Sequence, residues 1–306
     1  MTELSASDLR QAAISCTSYR AVSPDVHASG LRTHQLRFEN LSANGLPRPA
    51  EEFLVGGRLR RWDRESALSA SAYFADPTVA ALAELDTEVL RDDEIVQLPP
   101  NIRTRLELGE AVSRRRSTRT YSGDPVGLPE LATLLRHVGA ITAEGDVDLM
   151  RGGTVTYRFR TVPSAGGLYP VELWVAALNI TGLSPAVYRY APRLDGLVQV
   201  GDAGVLARLS GCFAIPDDQI TISSAAAVLC YVARPWRTMR KYGPRGMRFV
   251  LHEIGGMSQN AHLTVAALGL GSVDCAGFYD DEVNEVLGLD GVLTAVLHTS
   301  VLGWQG

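Results

Sequence analysis

Two short segments of this chain contain residue types suited to a phosphorylated, planar ligand. The first is the basic cluster Arg114-Arg115-Arg116-Ser117-Thr118-Arg119, and the second is the segment Pro163–Glu172, of sequence PSAGGLYPVE. Guanidinium groups present forked donors that match phosphate oxygens. Glycines let the backbone approach a flat ring, and the flanking prolines restrict the loop. Together the segments predict a cofactor pocket, whereas the arginines alone would fit a solvated turn equally well.

Two common nucleotide-binding motifs are missing. The sequence has neither a P-loop, GxxxxGK(S/T), nor a GxGxxG fingerprint after a strand. The segment Gly269-Leu270-Gly271-Ser272 is typical of a turn that ends a helix, with a cofactor contact as its second interpretation. His252 and His262 are ten positions apart on one predicted helix, so they do not form the i, i+4 pair of a metal site. We therefore expect no metal.

Composition excludes several classes of protein. The 306 residues carry a formal net charge of -5, which argues against a nucleic-acid-binding protein. No apolar run approaches the roughly 20 residues that span a bilayer, and the N-terminus lacks the apolar core of a secretory signal. None of the four cysteines, at positions 16, 212, 230 and 275, has a CxxC partner. These features predict a cytoplasmic protein that does not enter a membrane.

The chain divides into an irregular first part and a regular second part. Residues 1–100 form an N-terminal extension with short apolar pieces, and two helices are predicted within 65–90. The segment IVQLPPNI reads as an extended linker, so we place the boundary near residue 100.

Residues 101–306 show helical and strand periodicity in turn. The patterns predict an α+β fold, with a central, mostly antiparallel or mixed sheet flanked by helices. A Gly255-Gly256 pair inside the longest predicted helix indicates close packing against another helix or a ligand. Three helices are predicted: one that begins at Leu128, one over 245–268 and one over 280–287. The predicted strands are 154–162, 172–179, 187–190 and 197–200, which form a hairpin, 224–233, 272–277 and 293–302.

Four segments, in this order, resemble the motifs of a known family. RRRSTRTYSG, PSAGGLYPVELWV, KYGPRGMRFVLHEIGGMSQNAHLTVAALGLGS and GFYDDEVNEVLGLD are similar to those of the nitroreductase-like flavoproteins. Within these, they are most similar to the SagB-type azoline dehydrogenases of thiazole- and oxazole-containing peptide biosynthesis. The resemblance covers about residues 105–303.

The resemblance implies a homodimer that binds FMN at the subunit interface, so that both chains build each site. Matching positions place the ribityl phosphate near the arginine segment, the flavin ring against the glycine loop, and two further contacts on the long helix and its final turn. The residues implied are Arg115, Arg116, Ser117 and Arg119 for the phosphate; Pro163, Ser164, Ala165, Gly166 and Gly167 for the ring; Gln259 and Asn260 on the helix; and Gly269 and Gly271 in the turn.

Two positions depart from the family pattern. Gly256 stands where the family usually has histidine, which removes one expected helix contact. The chain ends in LGWQG, without the basic residue that often follows the last strand, which removes one expected phosphate contact.

The resemblance also gives Lys241-Tyr242 a catalytic role. Oxidation of an azoline ring to an azole removes a hydride from one ring carbon and a proton from its neighbour. A partly desolvated lysine has a lowered pKa and can accept that proton, and a tyrosine can orient the ring or relay the proton. The alternative is that Lys241 is a solvent-facing residue at the start of a helix.

The function implied is FMN-dependent dehydrogenation of thiazoline or oxazoline rings on a ribosomally synthesised precursor peptide. The implied partner is a YcaO-type cyclodehydratase, which would make the azolines, and residues 1–100 would serve in dimerisation, partner docking or peptide binding. Two alternatives stay open: an NAD(P)H-dependent nitro or quinone reductase, and a flavin-free scaffold subunit of a peptide-modifying complex.

Overall fold

The computed structural model describes Phe53 and residues 56–58, 95–148 and 152–306. The chain forms two compact units, Met1–Arg64 and Glu65–Gly306, and all the elements below belong to the second. The two helices predicted within 65–90 lie outside the described residues.

The second unit is built on a seven-stranded sheet, in which every neighbouring pair of strands is antiparallel. Its strand order is β1-β8-β7-β5-β9-β11-β10, while β3 and β4 form a separate hairpin and β2 and β6 a short parallel pair. The strands are β1 (Ile95–Gln97), β2 (Val126–Gly127), β3 (Ile141–Asp148), β4 (Thr154–Arg160), β5 (Val171–Ala177), β6 (Ile180–Thr181), β7 (Ala186–Ala191), β8 (Gly196–Gly201), β9 (Ala227–Ala233), β10 (Gly271–Cys275) and β11 (Ala295–Gly303).

Helices cover both faces of this sheet. Apolar residues of α2 and α5 pack on one face, and those of α3 and α6 pack on the other. The helices are α1 (Leu108–Arg114), α2 (Leu128–Gly139), α3 (Ala203–Ser210), α4 (Trp236–Tyr242), α5 (Gly246–Leu268) and α6 (Asp280–Val286).

The central strand β9 shows why the sheet has two cores. All seven of its residues are buried, as expected for a strand covered on both faces. Leu229 and Tyr231 belong to the core beneath α2 and α5, whereas Val228 and Cys230 belong to the core beneath α3 and α6. The alternation follows from the two-residue period of a strand.

The predicted α+β fold, a mostly antiparallel sheet flanked by helices, is confirmed, and each element predicted within 101–306 is present within a few residues. The strand predicted to begin at 224 begins instead at Ala227, because Ile222–Ser224 form a turn of 3-10 helix. The segment interpreted as a linker contains β1, which pairs with the edge of β8. None of the helices in the described part of the chain is long and apolar enough to cross a membrane.

Candidate functional site

The arginine cluster lines a cavity at the C-terminal end of α5. Helix α1 ends at Arg114, so Arg115 and Arg116 directly follow a helix end. The cavity has a volume of about 360 Å³. Arg115, Arg116 and Gly269 are thus brought together, whereas Ser117 and Arg119 are not among the lining residues. The side chains and turn residues that line it include Arg105, Arg114, Arg115, Arg116, Thr118, His262, Val265, Gly269 and Ser272.

Backbone contacts fix the arginine segment against β10. Ser117 forms a bridge with Ser272, and the N–H of Thr118 donates to the carbonyl of Ser272 at 2.9 Å. A Cβ atom at Gly271 would lie 2.6 Å from the side chain of Thr118, so only glycine allows this approach. Arg119 is exposed, and its carbonyl accepts from the N–H of Thr221.

The glycine loop connects β4 to β5 and contains a left-handed turn. Gly166 and Gly167 have φ of +68° and +66°, a conformation that glycine adopts without steric cost. The side-chain oxygen of Ser164 accepts from the N–H of Tyr169 at 2.9 Å, which closes the loop. Gly166, which has no side chain, is the loop residue that faces α4.

Lys241 and Tyr242 lie against Gly166. A Cβ atom at Gly166 would be 2.7 Å from Nζ of Lys241 and 2.8 Å from Oη of Tyr242. Nζ of Lys241 lies 5.2 Å from the centre of the Tyr242 ring, whose edge contacts Phe249 at a centroid distance of 5.0 Å. The structure therefore joins the predicted ring-binding loop to the predicted catalytic pair, which the sequence separates by some 75 positions.

The environment of Lys241 suits a base. Its side chain is 2% exposed and lies in the last turn of α4, so the solvent-facing alternative for this residue is wrong. Burial lowers the pKa of Lys241 to about 8. Lys241 is also the only lysine in the 306 residues, although the chain has 29 basic residues. Since an arginine stays protonated in proteins, no arginine could replace it as a base.

Glu253 of α5 supports the glycine loop from below. The N–H of Val171, at the end of the loop, donates to Oε1 of Glu253 at 3.4 Å. Burial raises the pKa of Glu253 to about 7, although Ser164 and Arg160 act in the opposite direction. This position beneath the loop fits a structural role for Glu253.

Gln259 and Asn260 point in different directions. Gln259 lines a second cavity, of about 330 Å³, together with Gly255, Ser258 and His262. The side-chain amide of Asn260 instead donates to the carbonyl of His137 on α2 at 3.1 Å. The structure does not bring this predicted pair together.

The two halves of the predicted site lie on opposite faces of α5. His262 lines both the arginine cavity and the second cavity, so these two adjoin along one face. Glu253, beneath the glycine loop, precedes His262 by nine residues, which is roughly half a turn away around a helix of 3.6 residues per turn. Within one chain, the glycine loop and the arginines therefore contact different sides of α5.

Sequence reasoning missed a polar cluster centred on Asp274. Oδ1 of Asp274 lies 3.1 Å from Nε2 of His262 and 3.2 Å from Nε2 of His298. Hydroxyls of Ser258 and Ser300 donate to the same carboxylate. Burial alone would raise the pKa of Asp274, but hydrogen bonds from the two histidines and Ser300 outweigh it and hold the pKa well below its usual range.

A signal for this cluster was present in the strand pattern. Ser272 and Asp274 are two positions apart on one predicted strand, and His298 and Ser300 are two positions apart on the next, so each pair is expected to face one side of the sheet. Antiparallel pairing of the two strands places Asp274 opposite Ser300. Among the described residues, no group of three or more His, Cys, Asp or Glu side chains is arranged to hold a metal ion.

Comparison with known proteins identifies the family. A model of the nitroreductase family matches residues 112–304. The protein MJ1384 of Methanocaldococcus jannaschii, named for the nitroreductases, is 36% identical over 197 residues, which cover 63% of this chain and 88% of MJ1384. The microcin B17-processing protein McbC of Escherichia coli is 28% identical over 148 residues, covering 47% of this chain and 54% of McbC, so the match spans about half the length of McbC.

Solved structures share the fold. A nitroreductase-type protein of Ralstonia eutropha matches with a TM-score of 0.55 and 22% identity, over 71% of this chain and 92% of that one. A chain of the E. coli microcin synthetase McbBCD complex, solved with truncated pro-MccB17 bound, matches with a TM-score of 0.52 and 22% identity, over 84% of this chain and 92% of that one. On the family match, the chain belongs to the nitroreductase family of oxidoreductases.

Proposed function

We propose that this protein is an FMN-dependent azoline dehydrogenase of the SagB type, which oxidises thiazoline or oxazoline rings on a ribosomally synthesised peptide to thiazoles or oxazoles. The observation that carries the proposal is the contact of Lys241 and Tyr242 with Gly166. A buried lysine with a pKa near 8, next to a glycine that leaves space for a ring, is suited to removing a ring proton.

The residues present fit FMN. The arginine cavity offers forked donors for a phosphate, from Arg115 and Arg116, and the adjoining second cavity holds Gln259 along the same face of α5. In the proposed site Ser117 and Arg119 supply further phosphate contacts, and residues 163–167 lie against the flavin ring. Gly269 and Gly271 shape the turn at the phosphate end. Asn260 holds α5 to α2 rather than the cofactor.

The reaction separates a hydride from a proton. Bound FMN would supply the acceptor for the hydride. Nζ of Lys241, in its neutral form, takes the proton from the neighbouring ring carbon, and the aromatic azole results. Tyr242 lies close enough to orient the azoline ring or to relay the proton, and its own pKa is raised by burial, which keeps its hydroxyl protonated as a donor.

We propose that the active form is a homodimer. Because the glycine loop and the arginines contact opposite faces of α5, a ligand that reaches the arginines of one chain would meet the Lys241 region of a second chain. The face of α5 that lines the second cavity supports this arrangement. Leu251 on that face is 47% exposed, and a Cβ atom at Gly255 would meet no atom within 4 Å.

The peptide substrate and the partner are proposed from the resemblance to McbC. That relative is named for processing microcin B17, and the McbBCD complex was solved with a truncated precursor peptide. We propose an azoline-containing precursor peptide as the substrate and a YcaO-type cyclodehydratase as the enzyme that supplies it. Residues 1–100 are proposed as an extension for dimerisation, partner docking or peptide binding, followed by the FMN-binding domain 101–306.

A nicotinamide-dependent nitro or quinone reductase is the second candidate. It is favoured by the name of MJ1384, the relative with the higher identity. The two candidates differ in what reduces the cofactor. Under anaerobic conditions, we expect an azoline peptide to bleach the yellow colour of the FMN-loaded protein and NADH or NADPH to leave it unchanged. Bleaching by a nicotinamide but not by an azoline would favour the reductase.

A further inference from the structure

The second cavity has a histidine and a carboxylate in its wall that the proposed reaction leaves unused. His298 and Asp274 both line this cavity, and Nε2 of His298 lies 3.2 Å from Oδ1 of Asp274. The ring of Tyr231 stacks on His298 at a centroid distance of 5.7 Å. Stacking on Tyr231 therefore fixes the plane of the imidazole, and the contact with Asp274 fixes the direction in which Nε2 points.

The hydrogen bonds fix which nitrogen carries the hydrogen. An ionised carboxylate only accepts hydrogen bonds, so Nε2 of His298 must donate to Asp274. Nδ1 is then the nitrogen that gains or loses a proton. No residue in 95–148 or 152–306 bonds to Nδ1, and the side chain of His298 is 23% exposed.

A β-bulge aims His298 at this cavity. The pairing of β11 with β9 shifts by one residue between Val296 and His298, so Leu297 has no partner of its own. Val296 belongs to the core beneath α3 and α6, and a regular strand would turn His298 the same way. The extra residue turns His298 towards α5 instead. Bulges recur beside active sites, where they redirect a side chain in this manner.

On these grounds, and resting on the proposed function, we infer that His298 and Asp274 form an acid–base dyad that delivers a proton when dioxygen re-oxidises the reduced cofactor. Dioxygen takes up two electrons and two protons to become hydrogen peroxide. The electrons and one proton come from the cofactor reduced by the azoline. Nδ1 of His298 donates the second proton, Asp274 stabilises the imidazolium beforehand, and solvent restores the proton.

The dyad and Lys241 would thus act in different half-reactions. Lys241 removes a proton during reduction of the cofactor, and His298 supplies one during its re-oxidation. The other titratable groups that face His298 are Tyr231 from β9 and His262 from α5, which shares the carboxylate of Asp274. Burial raises the pKa of Tyr231, so its phenol remains neutral.

The two half-reactions give the first test. Protein reduced by dithionite without oxygen is mixed with dioxygen, and re-oxidation is followed by the return of flavin absorbance. We expect His298→Gln to slow this step by about 100-fold, in the range for loss of a positioned acid, while azoline still reduces the variant at the wild-type rate. Lys241→Ala should show the reverse pattern. His252 is exposed, so His252→Gln is the matched control and should alter neither step. Re-oxidation of His298→Gln at the wild-type rate would overturn the inference.

NMR of the cofactor-free protein gives a second, independent test. The Nε2–H signal of His298, assigned with His298→Gln, is compared between the wild type and Asp274→Asn. We expect the wild-type signal to be shifted downfield and protected from exchange with water by the hydrogen bond to the carboxylate, and Asp274→Asn to lose this shift. An unchanged signal in Asp274→Asn would refute the dyad. Neither test uses an azoline for the step that decides it, so an unreactive azoline would count against the proposed function alone.

Discussion

At the scale of the residue, the proposed mechanism depends on the one lysine of the chain, whose other 28 strongly basic residues are arginines. The arginines near it can bind anions but cannot take a proton at any ordinary pH. Lys241 differs because its amine is buried, and burial lowers its pKa to about 8. Among the lysine and arginine side chains, only Lys241 can therefore act as a base.

The first prediction is a pH profile. Since the neutral amine is the base, the rate of flavin reduction by azoline should rise with pH and level off above about pH 8. Lys241→Arg keeps the positive charge but cannot lose it, so this variant should be as slow as Lys241→Ala at every pH. Because the chain has a single lysine, 15N labelling of lysine gives one Nζ resonance, and its titration should have a midpoint near pH 8. A midpoint near 10.5 would contradict the account.

The second prediction compares two glycines of the same loop. Gly166 and Gly167 both have positive φ, so alanine at either position costs about 1–2 kcal/mol in backbone strain. A Cβ at Gly166 would collide with Lys241 and Tyr242, whereas one at Gly167 would meet Tyr157 at 3.4 Å, an ordinary contact. Thermal unfolding should show similar losses of stability for both variants, while azoline oxidation falls much further in Gly166→Ala. Equal activities would show that the catalytic pair does not need this space.

At the scale of the element, helix α5 contributes to both halves of the candidate site. One of its faces lines the two cavities, and the opposite face contacts the glycine loop through Glu253. Its long apolar periodicity made it predictable from the sequence. The residues that recur along its apolar face are buried: Val250, Ile254, Met257, Ala261, Val265 and Leu268. Phe249 is half-buried and contacts Tyr242.

Helix α4 and the bulge in β11 were not predictable in the same way. The buried residues of α4 are Arg237, Thr238 and Lys241, so a search for apolar periodicity finds no face there. The bulge at Leu297 depends on pairing with β9, which no local pattern specifies. Elements such as α5 are predictable because their buried residues are mostly the apolar ones. The site residues that escaped prediction are polar groups that strand pairing and helix packing bring together around Asp274.

The third prediction concerns Glu253, where α5 meets the glycine loop. Its pKa is raised from 4.5 to about 7 in the folded protein, so the folded state holds this proton more tightly than the unfolded state. Stability from this group is fully present below pH 4.5 and is lost as pH rises through 7, by on the order of 3 kcal/mol. Urea unfolding should show that Glu253→Gln removes this loss, whereas Glu285→Gln, at an exposed carboxylate, does not. Parallel pH curves for Glu253→Gln and wild type would contradict the assignment.

At the scale of the whole molecule, the separation of the two half-sites on α5 is the observation behind the proposed homodimer. The fold itself followed from the order of elements and from the family resemblance. The sequence alone could not show that the arginines and Lys241 lie on different sides of one helix, because that depends on how the loop 163–170 folds back over Glu253.

The fourth prediction is complementation between two inactive chains. Arg115→Ala with Arg119→Ala should lose FMN, and Lys241→Ala should keep FMN but lose activity. In a mixed dimer, one site receives the intact arginines of one chain and the intact Lys241 of the other. Random mixing of equal amounts should then restore about a quarter of the wild-type activity, since half of the dimers are mixed and each has one intact site. Each chain alone should stay inactive. A mixture as inactive as its components would place the whole site within one chain.

The central claim is that Lys241 and Tyr242, set against Gly166, carry out azoline oxidation. Mass spectrometry of a thiazoline- or oxazoline-containing peptide, incubated in air with the FMN-loaded protein, tests it most directly. We expect a loss of two hydrogens for each ring oxidised by the wild type, and a loss at least about 100-fold slower with Lys241→Ala despite full FMN occupancy. An unchanged peptide mass with the wild type, or conversion by Lys241→Ala at the wild-type rate, would contradict it.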